Sequence, residues 1–366
     1  MKKTLLALAT LGGGISLAIV PAISLIGVTK LFTIQEQGFL SVAIMFATYV
    51  GQTATAALIE AKLATPGQTE GIRLPNLLIW ACGAIVLLLF IWPTSIWLIA
   101  CSLPFLFTAM EAGRASAVAA RRDKRELYAS LTIALTSLVS LLLAFSEISQ
   151  TFGVLALGVF LATVIRNAGL GNNKIQSSKP ILVWVVADVG LTGAVFPVIN
   201  FVIISQLGPE AAVAFAAIST ASGAIGIPLT YLRMRLLSQH SKFEVLISSF
   251  AVFLAVFAIF IANWCGLFEL FFGESWTEAA SVSAIFFACL WRATAILTTI
   301  PFAKFRREGK AQLVTLVRLF SSLVIFLLAI SVLPFNNLAL VFVALFAGEL
   351  FQWLLFEYFG RKARTK

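Results

Sequence analysis

Six ionisable residues lie within long apolar stretches of the sequence, where a charge is costly. They are Glu111, Arg114, Asp188, Arg292, Arg318 and Glu349. A charge at the centre of a membrane-spanning helix costs at least about 2.5–3.5 kcal/mol, so each should pair with a partner or face water. The planar guanidinium group of arginine is suited to a bidentate grip on phosphate. These residues therefore indicate either ion pairs between helices or a site for an anionic group.

The three arginines are the predicted substrate-binding cations. Arg292 lies near the middle of its apolar stretch, which favours a water-filled cleft that accepts an anionic head group. Arg114 lies near the inner end of its stretch, and Arg318 lies about two turns into another. There are two equal interpretations of Arg114 and Arg318. Each side chain either lies in the cleft or extends to the membrane surface.

The three acids are the predicted charge partners or coupling groups. Glu111 and Arg114 are three residues apart, so they can pair on one face of a helix. Asp188 and Glu349 lie deeper in their stretches. For each of them, neutralisation of a buried arginine on another helix is one interpretation, and a function in the cleft is the other.

Two apolar stretches carry a stripe of polar residues along one helical face. The predicted cleft-lining residues are Thr48, Gln52 and Thr55 in the first stretch, and Ser219, Ser222 and Thr230 in the second. Polar groups at helical spacing favour a water-filled cleft. Small polar residues equally favour close packing between membrane helices, so both interpretations stay open.

The composition requires that most of the chain lies in a membrane. Of its 366 residues, 60% are hydrophobic and 11% are charged, whereas a soluble domain has about 25% charged residues. Apolar stretches of helical length recur from end to end. We predict twelve membrane-spanning helices, at about 5–29, 38–60, 74–92, 95–118, 127–146, 150–169, 180–207, 210–236, 244–264, 279–301, 312–333 and 337–359. This number leaves no room for a large soluble domain or an ATPase module.

The net charge of +10 follows from which connections hold the basic residues. With the N-terminus inside, the even-numbered connections and the C-terminal tail contain nearly all of the loop lysines and arginines. The odd-numbered connections contain Lys30 and otherwise only acids. Basic residues are retained on the cytoplasmic side of a membrane. The pattern predicts an all-α integral membrane protein with both termini in the cytoplasm.

The second half of the chain repeats the first. The segment 137–144 matches 322–329 at six of eight positions with an offset of 185, and Arg121-Arg122-Asp123 matches Arg306-Arg307-Glu308 at the same offset. Two six-helix lobes of equal orientation imply a pseudo-twofold axis along the membrane normal and a central cleft, as in alternating-access transporters. The predicted boundaries are an N-terminal lobe 1–170, a cytoplasmic linker 171–179, a C-terminal lobe 180–360 and a basic tail 361–366.

The sequence lacks the residue patterns of metal sites and of phosphate-binding loops. The four cysteines have no Cys-x-x-Cys spacing and His240 is the one histidine, so we expect no metal site and no cofactor. The glycines at 12–14 are not followed by the lysine and hydroxyl residue of a phosphate-binding loop. We therefore expect neither an enzyme nor a partner of nucleic acid.

The junctions between predicted spans resemble those of a known family. The segment 31–40 resembles the short glycine-containing turn before span 2 of the MOP superfamily, the multidrug, oligosaccharidyl-lipid and polysaccharide exporters. Leu207-Gly208-Pro209-Glu210-Ala211 is similar to the junction of spans 7 and 8 in that superfamily, and the basic loops 121–125 and 304–310 also fit. The resemblance covers nearly the whole chain, and the nearest branch is that of the O-antigen and polysaccharide flippases.

This resemblance implies a flippase of the bacterial inner membrane, active in cell-surface polysaccharide biosynthesis. Its substrate would be an anionic oligosaccharide linked to undecaprenyl pyrophosphate, which it would move from the inner to the outer leaflet. The further partners of the protein would be membrane lipids and polysaccharide-assembly proteins. Related flippases often carry basic residues in span 1 or 2, whereas this chain has its buried cations in spans 4, 10 and 11. The alternatives are a multidrug cation antiporter of the same superfamily, with Asp188 as a carboxylate for cations, and, less favoured, a polysaccharide polymerase or ligase.

Overall fold

The structure is a computed structural model and describes residues 2–61, 73–120, 122–170, 179–238, 242–273, 276 and 281–362. Within these ranges, the side chains of residues 2–13 and of some later residues, Thr230 among them, are outside the description. Contacts between Cα atoms divide the chain into two compact units, Met1–Pro197 and Val198–Lys366. Each unit is described by itself below.

The first unit consists of seven helices and the start of an eighth. They are α1 Lys2–Leu31, α2 Ile34–Thr55, α3 Asn76–Ile91, α4 Ile96–Ala119, α5 Asp123–Phe145, α6 Thr151–Asn167 and α7 Lys179–Gly193. A π-helical turn, Ala56–Glu60, continues α2. Thr33 and Glu36 form a capping box at the start of α2, in which the Glu36 carboxylate accepts a hydrogen bond of 2.9 Å from the backbone N–H of Thr33. Such a box satisfies backbone donors that a helix start leaves open.

The second unit contains the remaining helices of the described chain. They are α8 Val195–Gln206, which begins in the first unit, α9 Pro209–Gly223, α10 Gly226–Ser238, α11 Lys242–Trp264, α12 Leu267–Phe272, α13 Val282–Arg307, α14 Ala311–Val332 and α15 Leu338–Lys362. A 3-10 turn, Leu333–Phe335, follows α14. Predicted span 8 is broken into α9 and α10, where Gly223 and Gly226 weaken the helix and Pro228 lacks the N–H that would bond to the preceding turn.

The predicted all-α, twelve-span fold is confirmed. Nine stretches of the described chain are long and apolar enough to cross a membrane, and α3 and α6 are shorter apolar helices. The α9–α10 pair accounts for the remaining predicted span. The chain is therefore a multi-pass membrane protein. Residues 171–178 of the predicted linker lie outside the described residues, and the lobe boundaries stay a prediction.

Close contacts between helices depend on glycine in both units. A Cβ atom at Gly158 of α6 would overlap Oγ1 of Thr136 in α5, and a Cβ atom at Gly348 of α15 would overlap Cγ1 of Ile325 in α14. Membrane helices associate through small residues that let their backbones approach. These glycines fix the α5–α6 and α14–α15 contacts, and those two helix pairs also carry the charged residues described next.

Candidate functional site

The first unit contains a buried bidentate ion pair. Nε and Nη2 of Arg166, at the end of α6, donate hydrogen bonds of 2.7 Å each to Oε2 and Oε1 of Glu126, in the first turn of α5. The side chain of Arg166 is 0% exposed and that of Glu126 is 2% exposed. Two parallel N–H···O bonds are the strongest geometry for this pair of groups. The pair therefore joins two successive spans.

Other side chains complete this charged network. Nη1 of Arg166 donates to the backbone oxygen of Met110 at 3.3 Å, and the hydroxyl of Ser130 donates to Oε1 of Glu126 at 3.3 Å. Nε of Arg114, in α4, lies 3.9 Å from Oε1 of Glu126. The Glu126 carboxylate thus interacts with two arginines, and these three residues come from three consecutive helices, while Glu111 of α4 also acts on Arg114.

The sequence predicts that Arg114 can pair with Glu111, and that it either contacts an anion in the cleft or extends to the membrane surface. The side chain of Arg114 is 12% exposed, and both Glu126 and Glu111 act on it electrostatically. The interaction with Glu126 spans two helices, whereas the predicted one lies within α4. Nothing in the network tests whether Arg114 contacts a substrate, so that assignment stays a prediction.

The second unit has a carboxylate in the middle of α15. Oε1 of Glu349 accepts a hydrogen bond of 2.5 Å from the hydroxyl of Thr298 in α13. The charges of Arg318 and Arg292 both act on Glu349. The structure therefore places three of the predicted residues, Arg292, Arg318 and Glu349, within range of one another's charge. Whether Glu349 neutralises an arginine or functions in a cleft stays a prediction.

Each of the two arginines also lies over an aromatic ring. The guanidinium carbon of Arg292 is 4.0 Å from the ring centroid of Trp291, and that of Arg318 is 5.6 Å from the ring centroid of Phe302. Cations within about 6 Å of a ring centroid are attracted by the negative face of the ring. The positive charges of Arg292 and Arg318 are thus stabilised both by aromatic rings and by the Glu349 carboxylate.

In both units, two arginines and an acid lie on three corresponding helices, but which helix carries the acid differs between the units. In the first unit the arginines are on α4 and α6 and the acid is on α5; in the second unit the arginines are on α13 and α14 and the acid is on α15. By the sequence repeat, α4, α5 and α6 correspond to α13, α14 and α15. The acid and one arginine have therefore exchanged helices between the repeats.

Asp188 is completely buried in α7, which packs against α2. The hydroxyl of Thr192 donates to the backbone oxygen of Asp188 at 2.5 Å. A Cβ atom at Gly190, half a turn further on, would lie 3.5 Å from Cγ2 of Thr53. This part of predicted span 7 belongs to the first unit. Neither the cation-binding nor the charge-pairing hypothesis for Asp188 is tested.

The predicted polar stripes have mixed environments. The hydroxyl of Thr48 donates to the backbone oxygen of Ile44 at 3.0 Å, and that of Ser222 donates to the backbone oxygen of Ser219 at 3.2 Å. Gln52 is exposed, and Thr230 has no described side chain. Among the residues that the structure describes, Oγ1 of Thr55 and Oγ of Ser219 are buried with no hydrogen-bond partner. The cleft-lining assignment of the stripes stays a prediction.

Sequence reasoning missed Glu126 and Arg166. Both lie near the ends of predicted spans. Charged residues are common there, and basic ones are expected on the cytoplasmic side, so neither residue stands out in the sequence. One signal was available: Glu126 is an acid at the start of an apolar stretch, directly after a run of basic residues. That position would have suggested a specific partner.

Comparisons with known proteins show which fold this chain has. No protein-family model matches the chain, and no curated protein matches it. Among solved structures, a MATE transporter in complex with MaL6 is similar with a TM-score of 0.56 at 14% identity, covering 99% of this chain and 96% of that chain. The fold is that of the MATE transporters. At this identity the likeness establishes the fold and assigns no function to individual residues.

Two further solved structures share the MATE fold. They are outward-facing and inward-facing conformations of a multidrug resistance MATE family transporter of the MOP superfamily, with TM-scores of 0.52 and 0.51. Each is 14% identical to this chain, and they cover 99% and 98% of it. The resemblance to the MOP superfamily at the level of fold is thereby confirmed.

Proposed function

We propose that this chain is a membrane transporter that exports amphipathic organic compounds by alternating access. The observation that carries the proposal is the likeness of fold, over nearly the whole of both chains, to a multidrug resistance MATE family transporter in outward-facing and inward-facing conformations. A fold that is solved in both conformations supports a transport cycle between them. Neither enzymatic activity nor a cofactor is part of the proposal.

Glu349 is the proposed coupling group of this cycle. A carboxylate within a membrane-spanning helix is costly, and such residues commonly mark pathways for protons and ions. The hydroxyl of Thr298 donates a hydrogen bond to Glu349, and the charges of Arg292 and Arg318 act on the same carboxylate. A change in these contacts would alter the charge state of Glu349 and so couple a proton to the transport cycle.

The test is export of a cationic dye from proteoliposomes that hold the purified protein. We expect a pH gradient to drive dye movement by the wild-type protein, and Glu349→Gln to reduce that movement at least tenfold. Glu269→Gln is the matched control, because Glu269 is an exposed acid on α12 of the same unit. Dye movement that is unaffected by Glu349→Gln would remove Glu349 from the mechanism, and no dye movement at all would contradict multidrug export.

A second candidate is the flippase for a lipid-linked anionic oligosaccharide, in polysaccharide biosynthesis. The observation that favours it is the network of the second unit, in which the charges of two arginines, Arg292 and Arg318, act on one carboxylate, Glu349. A surplus of positive charge suits an anionic substrate and repels an organic cation. Arg292, Arg318 and Arg114 would then be the cations that contact the pyrophosphate.

This candidate is tested with Arg292→Gln in a bacterial strain that lacks its own polysaccharide flippase. If the chain is a flippase, the wild-type gene restores surface polysaccharide and the variant restores much less at an equal protein level. Lys124→Gln, a change at an exposed basic residue of the first unit, is the control. Failure of the wild-type gene with every oligosaccharide lipid tested, together with dye export, would favour the first candidate.

We also propose that the protein lies in the bacterial inner membrane with both termini in the cytoplasm. The support is the excess of basic residues in the even-numbered connections. Single cysteines placed in alternate connections of a cysteine-free variant would test this orientation by labelling of intact cells. Labelling of position 124 from outside would contradict it.

A further inference from the structure

One face of α11 is apolar and exposed along its whole length. Only 17% of its most apolar stretch is buried within the protein. The exposed side chains recur every three or four residues, so they share one helical face; they are Leu246, Phe250, Phe253, Phe257, Ile261 and Trp264. Trp264 ends this face and is 91% exposed. Tryptophan is enriched where the hydrocarbon of a bilayer meets the head groups, so the end of α11 lies at that level.

The chain changes direction on both sides of the next helix, α12. Gly266 before it and Gly273 after it have φ values of +72° and +64°, in the left-handed region that favours glycine. A residue in this conformation ends a helix, so α12 does not continue the axis of α11. The six residues of α12 span about 9 Å at the usual rise of a helix. α12 is therefore a short separate helix at the end of a membrane-spanning one.

One face of α12 is aromatic and packs against the protein. Phe268 and Phe272 are one turn apart, and their ring centroids lie 4.7 and 5.6 Å from the ring centroid of Trp276. Trp276 is 5% exposed, and its indole N–H donates a hydrogen bond of 3.2 Å to Oδ1 of Asn263 in the last turn of α11. These contacts hold α12 beside the end of α11.

The remaining surface of α12 is amphipathic. Leu267 and Leu270 are 42% and 55% exposed, and at a spacing of three residues they lie on one side of the helix. The exposed acid, Glu269, lies on a different side, because successive helical residues are about 100° apart. Exposed leucine is unfavourable in water, whereas a helix with separate apolar and polar sides suits the boundary between lipid and water.

We propose that α12 lies in the interfacial layer of the bilayer, with Leu267 and Leu270 among the lipid chains and Glu269 directed to water. Continuity with the lipid-facing surface of α11 supports this position, because α12 begins three residues after Trp264 and is packed against the same helix end. The partner of this surface is thus phospholipid. The proposal depends neither on the transported substrate nor on the side of the membrane at which α11 ends.

The test measures the depth of nitroxide spin labels on full-length protein in phosphatidylcholine nanodiscs. Oxygen concentrates in hydrocarbon and a neutral nickel chelate stays in water, so the ratio of their collision rates with a label reports its depth. The parent protein carries Cys101→Ala and Cys265→Ala, which remove two exposed thiols, and its own labelling measures any contribution of the buried Cys82 and Cys289. Labels are attached in the parent at Leu267→Cys, Glu269→Cys and Leu270→Cys.

Two further positions calibrate the ratio within the same unit. Phe257→Cys lies on the exposed face of α11 and supplies the lipid value, and Arg361→Cys lies at the exposed end of α15 and supplies the water value. We expect the oxygen-to-nickel ratio at 267 and 270 to exceed that at 361 several-fold and to stay below that at 257. The ratio at 269 should be close to that at 361.

Two results would overturn the proposal. Ratios at 267 and 270 equal to the one at 361 would show that α12 lies in water, where its leucines would be free to contact a soluble protein or a second copy of this chain. Equal ratios at 267, 269 and 270 would show that α12 has no lipid-facing side. If the cysteine variants of α12 do not fold, the native thiol of Cys265 is labelled in Cys101→Ala alone. A water-like ratio at that position would equally contradict the proposal, and a value between those of 257 and 361 would support it.

Discussion

Arg166 and Glu126 are joined by two hydrogen bonds of 2.7 Å inside the first unit, with both side chains almost fully buried. The pair connects the end of α6 with the start of α5, two helices that also approach closely at Gly158. An ion pair fixes the register of two helices where apolar surfaces alone would allow sliding, because only one register brings the charges together. We interpret this pair as a structural link of the unit and not as a substrate contact.

Removal of one partner from this pair should be strongly destabilising. We expect Arg166→Met to lower the free energy of unfolding by about 3–5 kcal/mol, because it leaves the Glu126 carboxylate buried without its main partner. The double change Arg166→Met with Glu126→Leu should recover much of that loss, since no uncompensated charge remains. Unfolding by denaturant in mixed micelles measures both. Equal destabilisation by the single and the double change would contradict this account.

The glycine contact in the second unit gives a similar prediction for packing. Gly348→Ala places a methyl group where it overlaps Cγ1 of Ile325, so the helices must separate or the Ile325 side chain must change its rotamer. We expect a loss of about 1–3 kcal/mol, the usual cost of overpacking. Adding Ile325→Ala should make the two effects less than additive, because it removes the clashing atom.

The control for this packing variant is Gly223→Ala. A Cβ atom at Gly223 meets no described atom within 4 Å. This change should be neutral or should stabilise α9 by up to about 1 kcal/mol, because alanine is the better helix former. Thermal unfolding in the same detergent compares the variants. If Gly348→Ala is as stable as Gly223→Ala, the close approach of α14 and α15 does not limit stability.

The positions of the spans could be predicted from the sequence because that information is local. Apolar length and the breaks between stretches decide where a helix can cross a membrane. All twelve predicted spans correspond to helices, including the short α3 and α6. What the local pattern did not indicate is the interruption of span 8, since Gly223, Gly226 and Pro228 lie inside an otherwise continuous apolar stretch.

The sequence predicts which charged residues lie within spans, but it does not predict which residues they contact. A charge within an apolar stretch is visible in the sequence, and three residues noted for that reason, Arg292, Arg318 and Glu349, act on one another in the structure. The partner of a charge depends on the rotation and register of two helices, which a single sequence does not contain. The Glu126–Arg166 pair and the position of Arg318 over the ring of Phe302 are contacts of this kind.

Arg122 supports the end of α6 and provides a third prediction. Its two terminal nitrogens donate to the backbone oxygens of Ala168 and Gly169 at 2.6 Å each. A cation at this end also complements the helix dipole. We expect Arg122→Gln to lower the free energy of unfolding by about 1–2 kcal/mol, because glutamine carries no charge and cannot reproduce both hydrogen bonds of this exposed side chain.

Lys124→Gln is the control for that prediction, because Lys124 is an exposed cation two residues away. It should change stability by less than about 0.5 kcal/mol, as is usual for exposed residues. Chemical unfolding, combined with proteolysis near residues 168–170, measures the local effect. A loss of the same size in both variants would indicate that only net charge matters at this end of the unit.

Thr298 separates the structural and the transport roles of Glu349. The Thr298 hydroxyl donates to the Glu349 carboxylate at 2.5 Å. Thr298→Val removes that donor while keeping the side-chain shape, and we expect it to reduce pH-driven transport several-fold with a loss of stability of about 1–3 kcal/mol. Thr298→Ser retains a hydroxyl at the same place, so it should transport at close to the wild-type rate. If Thr298→Ser is as inactive as Thr298→Val at equal protein levels, the methyl group and its packing are what matter, and the hydrogen bond to Glu349 has no part in coupling.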